Sequence, residues 1–250
     1  MKNYILVHGA WGNAQEFDAV VKLLSEDGSR VTAIDLPGHG GNRVAIADVI
    51  MDAYIQKVVN EINGIEGKVI LIGHSLAGFV ISHVAEAIPE KIDRLIYIAA
   101  MLPKNGDVPL ALMQSDKDGE LLAEIIFSED ESYATLEENT IRSILLHDVK
   151  DQEHLNNSIP LFYMKQATQP FMAVAKLSEP KFGSVPKYYI RATKDKVLSP
   201  SLQDEMLANW KVDKVSTLTS GHFPLTSIPA GLVTAIKAFD ASIEELSKVA

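Results

Sequence analysis

The sequence predicts an α/β fold: a mostly parallel central sheet flanked by helices, with a helical insertion laid over it. Three observations predict this. Short apolar runs alternate with helical patterns up to Met101, and the alternation resumes at Tyr188. The run Lys68-Val69-Ile70-Leu71-Ile72 is continuously apolar after its lysine, as in a strand buried on both faces. The stretch from about 103 to 181 carries helical patterns and no convincing strand.

The elements follow in order. Tyr4-Ile5-Leu6-Val7 reads as a buried strand. Asn13 then starts a helix, with Glu16 three residues on to complete a capping box. Phe17, Val20, Val21 and Leu24 form its apolar face, and Gly28 stops it. A strand over Arg30–Ile34 leads into the loop Asp35-Leu36-Pro37-Gly38-His39-Gly40-Gly41. A helix is predicted from about Asp48 to Ile62. The strand at Lys68–Ile72 turns through Gly73–Gly78 into a helix whose inward positions are Val80, Ile81, Val84 and Ile88. Leu95–Ala99 is the fourth strand.

In the insertion, Leu121–Ile126 and Ile141–Leu146 show helical spacing. Beyond it come a strand at Tyr188–Ala192 and a short strand at Lys214–Leu218. A last helix starts near Pro229 and presents Leu232, Ile236, Phe239, Ile243 and Leu246 to the core. No repeat, low-complexity tract or linker divides the chain, so residues 1–250 read as one domain with residues about 103–181 as a helical cap.

Bulk properties narrow the function. A chain of 250 residues, 47% hydrophobic and 22% charged, has an ordinary globular composition. The formal net charge of −10 repels phosphate backbones, which argues against a nucleic-acid partner. With no cysteine there is no disulfide, thiolate nucleophile or zinc–thiolate site. The apolar run at Tyr4–Val7 is too short for a signal-peptide core, and no stretch is long enough to span a bilayer, so a cytoplasmic location is expected. A homodimer is left open.

The strongest local signal is Leu71-Ile72-Gly73-His74-Ser75-Leu76-Ala77-Gly78, where a buried strand ends, a serine follows and a helix begins. This is the setting of a nucleophile elbow, a tight turn that projects the serine Oγ above the sheet. The residues two before and two after the serine have to be small. Gly73 fills the first place, and Ala77 stands in the second, where glycine is usual. The competing role for Ser75 is a helix N-cap.

A serine needs a base, and the base an orienting acid. In such folds the chain order is serine, acid, histidine. Of the seven histidines, only His222 lies beyond the second group of strands, on a loop before the last helix. The acid is expected after the preceding strand, where Thr193-Lys194-Asp195-Lys196 offers Asp195; Asp204 and Asp213 are weaker candidates. Two backbone amides should face the developing oxyanion: that of Leu76, after the nucleophile, and that of Ala10, in His8-Gly9-Ala10-Trp11-Gly12. His8, His39 and His74 lie on separate loops without metal-ligand spacing and read as structural braces. No P-loop or dinucleotide fingerprint is present, and no cofactor or metal is implied.

With these residues placed, the chain resembles the α/β-hydrolase superfamily. Within it the likeness is to the group of salicylate-binding methyl esterases, hydroxynitrile lyases and bacterial esterase relatives. The segments that carry it are Val7–Trp11, Asp35–Gly40, Gly73–Leu76, Lys181–Val185, Lys194–Lys196 and Gly221-His222-Phe223-Pro224. The resemblance implies an α/β-hydrolase fold and a serine esterase acting on a small apolar or aromatic ester, with Trp11 and Phe223 at the substrate. The lyases place a lysine where this chain has Phe223 and a threonine where it has Gly9, and both departures argue for ester hydrolysis. Two other readings stay open: a non-catalytic binder of an aromatic acid, and a hydrolase of lactone, amide or carbon–carbon bonds. Phe127, Tyr133, Phe162, Met164 and Phe171 are candidate pocket residues in the cap, each equally able to be core.

Overall fold

The capping box forms as expected. Asn13 accepts from the Gln15 amide while the Glu16 carboxylate accepts from the Asn13 amide, and one 3-10 turn then feeds α1 (Asp18–Ser25). In this computed structural model of the chain, the backbone is described for residues 1–247 and the side chains for residues 1–240. The first half runs β1 (Asn3–Val7), α1, β2 (Arg30–Ile34), α2 (Met51–Asn63), β3 (Val69–His74), α3 (Ala77–Ala87) and β4 (Ile92–Ile98). After a long intervening segment come β8 (Lys187–Ala192), α7 (Pro200–Leu207), β9 (Lys214–Leu218), the short α8 (Pro224–Ser227) and α9 (Pro229–Ser247).

Six strands form one sheet in the order β2-β1-β3-β4-β8-β9, every neighbouring pair parallel. All six residues of β3 are buried, as its unbroken apolar run requires. The edge strand β2 alternates between exposed and more buried positions, and the edge strand β9 has no buried residue. The chain steps from β1 outward to β2 and then returns to the other side of β1 for β3. That reversal opens a crevice at the carboxyl ends of β1 and β3, where such sheets place their ligands.

β4 begins three residues earlier than the apolar pattern predicts. Its first turn carries Asp93 and Arg94, and Arg94 is buried because Asp240, from α9, pairs with it at 3.0 Å. Of the predicted inward face of α9, Leu232, Ile236 and Phe239 are buried, and Ile243 and Leu246 lie outside the described side chains.

The segment between β4 and β8 corrects the expectation of helices alone. It holds α4 (Pro109–Ser115), α5 (Glu138–Thr140) running into a π-helical turn, and α6 (Gln152–Ser158). It also holds a three-stranded antiparallel sheet of β5 (Ile126–Phe127), β6 (Tyr133–Thr135) and β7 (Gln166–Ala167). Strands of two or three residues are too short to show a two-residue period. The Leu121–Ile126 run is a 3-10 turn over Leu121–Glu124 that leads into β5. The segment bonds to the loops and short helix at the carboxyl edge of the main sheet: Glu120 to Lys196, His147 to Lys194, Asp148 to Gly221 and, in α8, His154 to Thr226. No helix among the described residues is long and apolar enough to cross a membrane.

Candidate active site

Between the end of β3 and the start of α3 stand only Ser75 and Leu76. Ser75 has φ of 55°, in the left-handed region that a non-glycine residue adopts only under constraint. The constraint is visible. The Ser75 amide donates to Ile98 at 3.3 Å, and its carbonyl accepts from both Gly78 and Met101 at 3.0 Å. The close approach that glycine usually serves two residues after the serine is met one residue later. Ala77 is accommodated, whereas a Cβ on Gly78 would overlap the Met101 carbonyl oxygen and stand 2.8 Å from the Met101 carbonyl carbon.

His222 follows β9 and Asp195 follows β8, as chain order predicts. The His222 Nδ1–H donates to Asp195 Oδ2 at 2.7 Å, and both residues are buried. The other carboxylate oxygen accepts from the amides of Val197, at 2.8 Å, and Leu198, at 3.0 Å. These bonds fix the carboxylate and hence the imidazole tautomer, leaving Nε2 with a free lone pair. The weaker acid candidates are occupied elsewhere: Asp204 grips Arg191 and Asp213 accepts from the Lys187 amide.

Ser75, His222, Ala10, Trp11 and Phe223 all border one cavity of about 20 Å³. The Ser75 hydroxyl makes no hydrogen bond among the described residues and faces this cavity together with the imidazole. The amides of Ala10 and Leu76 likewise have no hydrogen-bond partner among the described residues, whereas the neighbouring Trp11 amide donates to Gln166 Oε1 at 3.1 Å. Leu76 is buried and Ala10 partly buried, and two unpaired amides beside a candidate nucleophile suit an anionic oxygen. Gly9 is required here by space: a Cβ would lie 2.7 Å from the Ser75 Cβ and 3.3 Å from its Oγ.

The remaining histidines act as braces. His8 Nδ1–H donates to Gly9 and Nε2 accepts from the Leu36 amide; His39 Nδ1–H donates to Gly12 and Nε2 accepts from the Tyr54 hydroxyl. His74 Nε2–H donates to the His222 carbonyl at 2.8 Å, and its ring lies 4.8 Å from the His222 ring. Burial, reinforced by His39, pushes the His8 pKa down to about 3. Burial first, then His222, holds His74 well below the usual imidazole range, and burial also lowers His39 and His83. Unfolded histidine titrates near ~6.5. Below that pH the unfolded chain takes up protons that the native chain resists, so stability is full above it and is lost as pH falls. Each such group adds up to about 1.4 kcal/mol of loss per pH unit. The urea midpoint is therefore expected to fall steeply from about pH 6.5 to about 4.5, and a flat midpoint over that range would contradict the neutral braces.

Of the candidate pocket residues, Phe127 and Phe171 line a second, larger cavity of about 370 Å³ that Trp11 also borders. Phe162 instead packs edge-on to Phe223 at 4.9 Å, Met164 meets His39, and Tyr133 lies under the Lys165 ammonium. Sequence reasoning missed three braces. Gln203, from α7, donates to Asp195 Oδ2 at 3.4 Å and to the Leu198 carbonyl at 2.7 Å. Asp148 accepts from the Gly221 amide at 2.6 Å, beside His222. Gln166 holds the oxyanion loop at Trp11. A glutamine in a helix or short strand, or an aspartate in a turn, carries no signal of such a role.

Residues 4–235 match the model of the alpha/beta hydrolase family. The chain belongs to that family. Among its relatives, this family member is 32% identical over 251 residues to a pyrethroid hydrolase of Sphingobium wenxiniae, covering 96% of this chain and 88% of that protein. It is 31% identical over 245 residues to a protein of Arabidopsis thaliana named putative methylesterase 11, chloroplastic. That match covers 92% of this chain but spans only 62% of the relative's length. The crystal structure of a pyrethroid hydrolase from Sphingobium faniae superposes with a TM-score of 0.83 at 30% identity, covering 97% of this chain and 99% of that one.

Proposed function

We propose that this member of the alpha/beta hydrolase family is a carboxylesterase-type serine hydrolase of small apolar or aromatic esters. Ser75 attacks the ester carbonyl while His222 Nε2 accepts the hydroxyl proton. The amides of Ala10 and Leu76 hold the oxyanion, a contribution of about 3 kcal/mol for one such donor. The imidazolium, held by Asp195, returns the proton to the leaving alcohol and an acyl-enzyme forms. Water, deprotonated by the same nitrogen, then releases the acid. The segment 103–181 acts as a cap that keeps bulk water from these steps. The observation that carries the reading is the bond from His222 Nδ1–H to Asp195 Oδ2, which leaves the lone pair of Nε2 free in a cavity it shares with a strained serine and two unpaired amides.

Relatives named methylesterase and pyrethroid hydrolase support an ester as the bond broken. Cyanohydrin cleavage is disfavoured, because Phe223 replaces the lysine of the lyases and Gly9 leaves no room for their threonine. The test is a panel of methyl, aryl and lactone esters combined with sulfonyl fluoride labelling. At least one class of ester is expected to be hydrolysed, with activity lost in proportion to label on Ser75. Full labelling of Ser75 with activity intact would overturn the mechanism, and no turnover of any ester would overturn the function.

A further inference from the structure

The cavity at Ser75, about 20 Å³, holds at most a single water molecule. No ester fits it. The neighbouring cavity of about 370 Å³ has the size of a ligand pocket, and its walls are apolar: Leu110, Met113, Ile125, Phe127 and Phe171. One residue, Trp11, lines both. The residue is buried and held by three contacts. The Nε1–H donates to the Ala134 carbonyl at 3.1 Å, the amide donates to Gln166, and the ring meets Phe171 at 5.9 Å. Its backbone has φ of 55°, an uncommon state for a bulky side chain. The indole itself is held by the bond to Ala134 and the contact with the Phe171 ring.

We propose that Trp11 is the specificity-determining partition of this enzyme, and that the chamber behind it receives the aryl or long alkyl arm of an apolar ester whose carbonyl sits at Ser75. The inference rests on the proposed esterase reading and adds the substrate class. Glu131 and Thr168 are the polar groups of the lining, so the chamber takes neutral arms and rejects anionic ones. Phe127 and Met172, half exposed at the chamber's edge, form its mouth to solvent.

The experiment compares kcat/KM for p-nitrophenyl acetate and p-nitrophenyl octanoate. Trp11→Ala removes the wall and is expected to raise the octanoate-to-acetate ratio about tenfold or more. Trp11→Phe keeps a ring but breaks the bond to Ala134, and it is expected to raise the ratio less. Leu110→Phe narrows the chamber and should lower the ratio about fivefold, in the wild-type and the Trp11→Ala backgrounds alike. Ratios that stay within about twofold of wild type in the folded variants overturn the partition. A second readout does not depend on turnover. The chain has two tryptophans, so Trp210→Phe leaves Trp11 as the single indole. Titration with 2-decanone, an uncleavable apolar probe, is expected to shift its emission saturably, and Leu110→Phe should weaken that binding. The absence of a saturable shift overturns the chamber even if esters are hydrolysed. A saturable shift in a protein that turns over no ester keeps the chamber and removes only the esterase reading.

Discussion

Replacing His222 with alanine is expected to lower kcat/KM for p-nitrophenyl acetate by about 10,000-fold or more, because among the described residues it is the only imidazole that borders the cavity at Ser75. The loss should fall on kcat, since the proton is transferred in the transition state and not on binding. Ser75→Ala should cost about as much, for it deletes the atom that His222 would deprotonate. The two losses should not add: the double variant is expected to match either single one, because both act on one step. Stability should fall modestly in His222→Ala. The Asp195 carboxylate loses one charged hydrogen bond but keeps the amides of Val197 and Leu198, a cost of about 1–3 kcal/mol. Steady-state kinetics on both singles and the double, with urea titrations beside them, checks this. A double variant whose loss equals the product of the singles would mean the two groups work separately, and retained turnover in either single would remove it from the mechanism.

Gly78→Val is expected to be the most destructive single change to the fold. Helix propensity favours alanine over glycine by about 1 kcal/mol inside a helix, so local preference alone predicts a gain at this position in α3. Sterics oppose that gain and outweigh it. The new Cβ would overlap the Met101 carbonyl, and Met101 cannot retreat freely because its amide is bonded to the Ser75 carbonyl, as is that of Gly78. Gly78→Ala should therefore destabilise by about 3 kcal/mol, the upper part of the range for overpacking. Valine should remove much of a typical domain stability of about 5–15 kcal/mol. Because the same bonds set the backbone of Ser75, the alanine variant should also lose kcat at temperatures where it is still folded. Urea unfolding of the alanine variant decides the matter, and a midpoint at or above the wild-type value would show that the elbow tolerates the group.

Much of this is legible in the residues alone. β1 and β3 are recognisable because a parallel strand buried between layers is a continuous apolar run. Ser75, His222 and Asp195 are selected by order along the chain: one histidine lies beyond the last strands and one acid directly follows the strand before it. The features that are not legible share a cause. Arg94 belongs in a strand only because Asp240 covers its charge. The strands at Ile126, Tyr133 and Gln166 exist only by pairing with one another across the insertion. Gln203, Asp148 and Gln166 matter through partners that no local pattern reveals.

Periodicity, turn chemistry and chain order are local or ordinal properties, and they suffice for the class of fold, the elbow and the choice of the three residues proposed to form a proton path. Packing is needed for the rest: which tautomer His222 holds, which two amides stand unpaired beside Ser75, and that Trp11 borders both a water-sized cavity and an apolar chamber. Each of these depends on groups from distant segments meeting within hydrogen-bonding or van der Waals range, and a linear pattern does not encode such distances.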